Sequence, residues 1–202
     1  CTPNNIMAKL LVLFLAVTLI GLVYGHGRLN KPPGRGTAWR HGFKTPPDYT
    51  DQGANCGGLG IQTQNGGKCG LCGDNFKENQ PRPHEHGGKY GTGTIVGKFS
   101  AGQEVDTHIQ LTANHLGFMK FDICKLDGGK ESEDCFKPMS VEGGAEVSVP
   151  KGKKNFNLKV KLPDGVTCSQ CVFRWTYVGG NNWGGRDVPQ ETFVNFADIE
   201  IN

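Results

Sequence analysis

The chain has 202 residues, 36% of them hydrophobic, with 31 Gly and 11 Pro. That length supports one domain with a sizeable core, and a Gly share about twice the usual argues for short elements and loops over a helical bundle. A net charge of +3, with no basic run, gives no footing for nucleic-acid binding.

The first segment reads as an export signal. Met7 opens the string MAKLLVLFLAVTLIGLVYG, with Lys9 followed by an apolar run from Leu10 to about Val23. The run is short for a membrane span and ends in Val23-Tyr24-Gly25, residues that signal peptidase accepts. Residues 1–25 are therefore expected to be removed, with residues 1–6 as upstream sequence before the Met. An N-terminal anchor is the competing reading, but no basic stop-transfer cluster follows immediately. Removing Lys9 leaves 21 basic against 19 acidic residues, a net of +2. The expected product is one secreted, extracellular domain, residues 26–202, monomeric and free of the membrane.

From His26 to about Tyr90 the chain reads as loops. Pro32-Pro33, Pro46-Pro47, Gly57-Gly58, Gly66-Gly67 and Pro81-Arg82-Pro83 interrupt any period-2 pattern. A loop region this long in a compact domain is usually functional. From about Thr92 the pattern changes. Residues 107–113, 120–125, 145–149 and 157–162 alternate, 171–178 are β-branched and aromatic, and the chain ends in Ala197-Asp198-Ile199-Glu200-Ile201. About seven short strands between Gly, Pro and Asp turns predict an all-β fold, an immunoglobulin/fibronectin-III-like antiparallel β-sandwich with long disulfide-held loops.

Seven cysteines follow His26: Cys56, Cys69, Cys72, Cys124, Cys135, Cys168 and Cys171. After an export signal, disulfides are the default, and one cysteine is left odd. The pairs Cys69–Cys72 and Cys168–Cys171 also have zinc-ligand spacing, but oxidation competes for those thiols. His84-Glu85-His86 resembles a metal pair and reads better as a loop feature. His41 and His108 read as surface or structural residues, and Trp39, Trp175 and Tyr177 as core or electron-path aromatics.

A histidine at a newly formed N-terminus has special chemistry. Its α-amino nitrogen and its imidazole Nδ1 can chelate one metal, and a second imidazole opposite them completes a planar nitrogen set. Such a set favours Cu(II). The α-amino pKa near 8 lets copper displace the proton at neutral pH. His115 is the candidate second imidazole: on a strand from Ile109 to His115, residues 109, 111, 113 and 115 share one face. Small Ala113 would leave space beside the metal. An ordinary strand-end histidine is the other reading of the same string.

The string HGRLNKPPGRGTAWRHGF from His26 resembles the start of lytic polysaccharide monooxygenases, especially auxiliary activity family fifteen. Further similar pieces are Cys56-Gly57-Gly58, GGKCGLCGD (66–74), GGKYGTGTI (87–95), TANHLGF (112–118), CVFRWTY (171–177), QETF (190–193) and ADI (197–199). The resemblance implies a histidine brace of His26 and His115 on one copper ion. It puts Phe193 at the axial position, where the ring blocks one apex without coordinating, and gives Glu191 a hydrogen-bonding role near the oxygen co-substrate. Trp183, in the Gly-rich loop with Asn181 and Asn182, is a candidate substrate contact. The implied reaction takes an external reductant and O2 or H2O2, removes hydrogen at C1 or C4 beside a glycosidic bond, and breaks a chain in an insoluble polysaccharide. Chitin is the first expectation and cellulose the second. The chain departs from the family in lacking a cysteine between Trp183 and Gln190 and in having Phe196 before Ala197-Asp198-Ile199, which reads as loss of one disulfide. Two other classes stay open on sequence alone: a non-catalytic copper-binding protein with the same brace, and a polysaccharide-binding module.

Overall fold

The computed structural model describes residues 26–126, 128–182 and 184–202. The expected export signal lies outside the described residues. Among the described residues there are nine strands: β1 (His26–Lys31), β2 (Gly97–Phe99), β3 (Glu104–Ala113), β4 (Phe118–Lys125), β5 (Lys137–Val141), β6 (Val147–Ser148), β7 (Asn155–Lys161), β8 (Cys168–Val178) and β9 (Thr192–Ile201). One short helix, α1 (Leu59–Gln64), lies in the loop region.

Alternation makes the two layers. In β3, Val105, Thr107, Ile109 and Leu111 point inward while Glu104 and Asp106 stay in water, and β7 repeats this with Phe156, Leu158 and Val160. Facing them, β4, β8 and β9 supply Phe121, Phe173, Trp175, Tyr177, Phe193 and Ile199. Each large apolar side chain buried between the layers contributes roughly 1.5–3 kcal/mol. The strand order is β1-β3-β7-β5-β4-β8-β9-β2, with β6 on β4. Strand β5 is the corner: its first residues pair with β4 and its last two with β7. The sandwich is thus one sheet folded over itself.

The strands expected around 107–113, 120–125, 157–162, 171–178 and the C-terminus are present. The stretch 145–149 contributes only the two-residue β6. Three strands have no clear sequence signal: β2 and β5 are short, and β1 is masked by Gly27, Asn30 and the following prolines. The β2–β9 pair is parallel, an exception in an otherwise antiparallel sheet.

The outer face of β8 and β9 is covered by the loop region. Val172, Val194 and Phe196 form a second apolar cluster with Cys72, Cys124, Leu126 and Phe136. Arg35 crosses it, pairing with Asp198 and Glu131 at 2.8 Å each. The disulfides are Cys56–Cys69, within the loops, Cys124–Cys135 and Cys168–Cys171. The odd cysteine is Cys72, buried in the same cluster as Phe196. Phe196, which stands where the family resemblance would place a cysteine, lies in this cluster with Cys72.

His84, Glu85 and His86 turn to three different partners. Glu85 pairs with Arg82 and the His86 ring faces Gln170. His84 sits between two carboxylates, Nδ1 2.6 Å from Asp74 and Nε2 3.1 Å from Asp48, under the ring of Tyr90. Burial disfavours the imidazolium, but the two carboxylates overcome this and push its pKa up to about 9 from 6.5. Burial likewise opposes ionisation of Asp48, and hydrogen bonds from His84 and Thr50 overcome it, holding its pKa below the ordinary value. The His84 contribution is complete below pH 6.5 and is lost as pH rises to about 9. The Asp48 contribution is present above the ordinary carboxylate pKa and fades as pH falls through its depressed value. Stability is expected to drop by up to ~3 kcal/mol on going from mildly acidic pH to pH above 9. His84→Asn should flatten that alkaline limb in denaturant titrations. An equally steep limb in the variant would reject the assignment.

Candidate metal centre

β1 is the edge strand of its layer, and His26 pairs across from Ala113 of β3. What seats β1 is Gly27. Its amide donates to the Gln52 carbonyl at 2.9 Å. A Cβ there would lie 2.7 Å from Leu111 Cδ2 and 2.9 Å from Trp175 Cη2. Only a residue without a side chain lets the strand settle on the Trp175 ring. Gly27→Ala is expected to destabilise the protein by ~1–3 kcal/mol through overpacking. An unchanged unfolding midpoint would show that the close approach carries no weight.

Sequence spacing places His115 on β3, but the strand ends at Ala113 and His115 belongs to the tight turn into β4. The turn needs left-handed backbone at Leu116 (φ 58°) and Gly117 (φ 84°). At Gly117 a Cβ would meet the Val178 carbonyl at 2.0 Å, so glycine is obligatory. Asn114 anchors the turn to the carbonyls of Pro150 and Lys153 at 3.0 and 2.7 Å. The backbone of His115 is gripped twice: its N–H donates to the Tyr177 hydroxyl at 2.7 Å and its carbonyl accepts from Gly180 N–H at 2.8 Å. Burial pushes the Tyr177 pKa up to about 12, with the Glu191 carboxylate adding to it, so the phenol stays neutral.

The His115 side chain is buried. Nδ1 lies 2.5 Å from the Asn181 side-chain amide and 3.9 Å from Glu191 Oε2. Glu191 is itself buried, and its Oε1 accepts from Asn55 Nδ2 at 2.8 Å. Phe193 is fully buried and stacks on Tyr177 at 5.5 Å, so it lies beneath the support of His115. Trp183 lies outside the described residues. His41 is exposed and His108 half-buried on β3. Sequence reasoning missed Asn55 and the hydroxyl of Tyr177 as supports, and it grouped Asn181 with possible substrate contacts.

One atom tests whether a metal fits. His115 Nε2 is buried and has no hydrogen-bond partner. A polar atom so placed costs about 1–3 kcal/mol unless something satisfies it. A metal bound by imidazole, with the other ring nitrogen held by an amide, would do so. Among the described residues no group of three or more His, Cys, Asp or Glu side chains could hold a metal. His26 begins β1 opposite Ala113, two residues before His115, and could offer an imidazole and, if its amine is free, a second nitrogen. Nitrogen donors of this kind suit copper.

Comparison with known proteins supports the same chemistry. A family model described as lytic polysaccharide mono-oxygenase, cellulose-degrading, matches residues 26–199. An AA15 lytic polysaccharide monooxygenase from Thermobia domestica, solved in the Cu(I) state, is 36% identical with a TM-score of 0.83. The match covers 87% of this chain and 98% of that one. A lytic polysaccharide monooxygenase from Kitasatospora papulosa shares the fold at 12% identity and TM-score 0.54, over 88% of this chain and 98% of that one. No curated protein sequence matches the chain. An identity of 36% along nearly the whole described chain, together with a family model that matches residues 26–199, is a matter of descent and not of fold alone, and this chain belongs to the lytic polysaccharide monooxygenases, copper-dependent enzymes that cleave polysaccharides oxidatively.

Proposed function

We propose that the chain is exported, cut before His26, and acts as a monomeric copper monooxygenase on chitin. The observation that carries this reading is the unpartnered, buried His115 Nε2 beside the strand that begins at His26. In this reading His26 supplies its α-amine and imidazole, and His115 supplies Nε2. Copper held by these residues would supply one-electron chemistry, with an external reductant and O2 or H2O2 as co-substrates. The chain's own residues do the rest. Ala113 leaves room opposite His26. Phe193 keeps an apolar, water-free wall under the site. Glu191, held by Asn55, presents a carboxylate as a hydrogen-bonding group near the co-substrate.

Two features favour an insoluble substrate with acetamido groups. Tyr49 is 77% exposed, on the loop that reaches Gly27 through Gln52, and its ring packs edge-on to Trp39. An exposed ring on this rim suits the flat face of a sugar. Beside His115 a hollow of about 500 Å³ is lined by Ile61, Gln64, Asn181, Asn182 and Glu191. Amide groups around an apolar floor complement an N-acetyl group better than a bare hydroxymethyl. No helix among the described residues is long and apolar enough to cross a membrane.

The test is incubation of the secreted protein with copper and ascorbate, on chitin and cellulose in parallel. Oxidised chito-oligosaccharides in the mass spectrum are expected. Oxidised cello-oligosaccharides alone would replace chitin by cellulose. Tight copper binding with no oxidised product from either would reject the catalytic reading.

A further inference from the structure

We propose that Asn181 is the positioning residue that fixes the His115 tautomer, holding the ring proton on Nδ1 and leaving Nε2 as a lone-pair donor. This deepens the copper reading above and rests on it for its purpose, though not for its test.

The argument starts from the two ring nitrogens. A neutral imidazole carries one proton, so one nitrogen donates and the other accepts. Nδ1 is 2.5 Å from the Asn181 side-chain Nδ2, while Nε2 is buried without a partner. The two ends of a side-chain amide are nearly isosteric, so two arrangements share this geometry. If the amide N–H donates to Nδ1, the proton sits on Nε2. It is then a buried N–H with no acceptor, and the site has no lone pair to offer. If the amide oxygen accepts from Nδ1–H, Nε2 is unprotonated and faces the rim ready for a cation. Only the second arrangement gives the orphaned atom a use.

Asn181 is the hydrogen-bonding partner that the described residues place at Nδ1. Glu191 Oε2 is 3.9 Å away, beyond hydrogen-bonding distance, and Asn55 already holds the other oxygen. Tyr177 meets His115 through the backbone N–H and not through the ring. Asn181 is well built for the task. Gly179 N–H donates to the Glu191 carbonyl at 2.9 Å and Gly180 N–H to the His115 carbonyl at 2.8 Å. The segment that carries Asn181 is therefore tied to the residue it would orient. Ring nitrogens of metal-bound histidines are commonly fixed this way, and loss of such a partner typically weakens metal binding ~10–100-fold.

The test uses the mature secreted protein, first without metal. Nitrogen-15 NMR of the imidazole rings reads the tautomer directly, at a pH where the ring is neutral. Wild type is expected to show the Nδ1–H form of His115. Asn181→Asp keeps an acceptor and should keep that form. Asn181→Leu, which offers neither donor nor acceptor, should shift the ring towards Nε2–H. With Cu(II) added, Asn181→Leu should bind ~10–100-fold more weakly and show an altered electron paramagnetic resonance spectrum, while Asn181→Asp stays near wild type. An Nε2–H ring in the wild type, or an unchanged tautomer and copper Kd in Asn181→Leu, overturns the proposal. If the mature wild type binds no copper, the metal reading fails, but the metal-free tautomers still decide the role of Asn181.

Discussion

A protein carrying one additional residue ahead of His26 is expected to bind Cu(II) at least ~10³-fold more weakly than one that starts there. The extra residue converts the α-amine to an amide, whose nitrogen lone pair is delocalised and is a poor donor at neutral pH. It also breaks the chelate, because amine and imidazole of one residue close a ring on the metal together. Loss of a group that only supports a ligand costs ~10–100-fold, and loss of a ligand costs more. The fold should not suffer, since the pairing of β1 with β3 runs from His26 onward and needs no free terminus. Calorimetric titration with Cu(II) against a competing chelator, with circular dichroism as the fold control, separates the two. Equal affinity in both forms would remove the amine from the site.

His115→Ala should reduce oxidised oligosaccharide by at least ~10³-fold, because the metal's contribution to the barrier is several kcal/mol. The contacts that position this residue, from the Tyr177 hydroxyl and Gly180 N–H, involve its backbone and survive the substitution. A modest fall in melting temperature is therefore expected, with the turn retained. Turnover within tenfold of wild type would mean that another residue supplies the second imidazole.

The candidate site was legible in the sequence where it depends on local spacing, and obscure where it depends on long-range contact. His26 stands out because an apolar run that reads as an export signal ends beside it, and Ala113 and His115 because a regular alternation leads to them. The strand itself stops two residues short of His115, since Leu116 and Gly117 adopt left-handed backbone that no period-2 pattern announces. The supports are distant in the chain. Tyr177 is 62 residues from His115, Asn181 is 66, and Asn55 lies 136 residues from Glu191. Polar residues of this kind carry no periodic signal, and only the folded sheet brings them together. The β-sandwich was readable from its long alternating strands. Strand β1 was not, because Gly27 leaves no side chain where alternation would show and instead lets the chain touch Trp175.

An unpaired thiol in an exported protein ordinarily invites a covalent dimer or a mixed disulfide with a small thiol. Cys72 is shielded from both. It is buried among Phe136, Val172 and Phe196, and its burial pushes the thiol pKa well above the ordinary value, so almost no thiolate forms. Buried and protonated, the Cys72 thiol is thus kept out of reach of exchange with other thiols as long as the fold is intact.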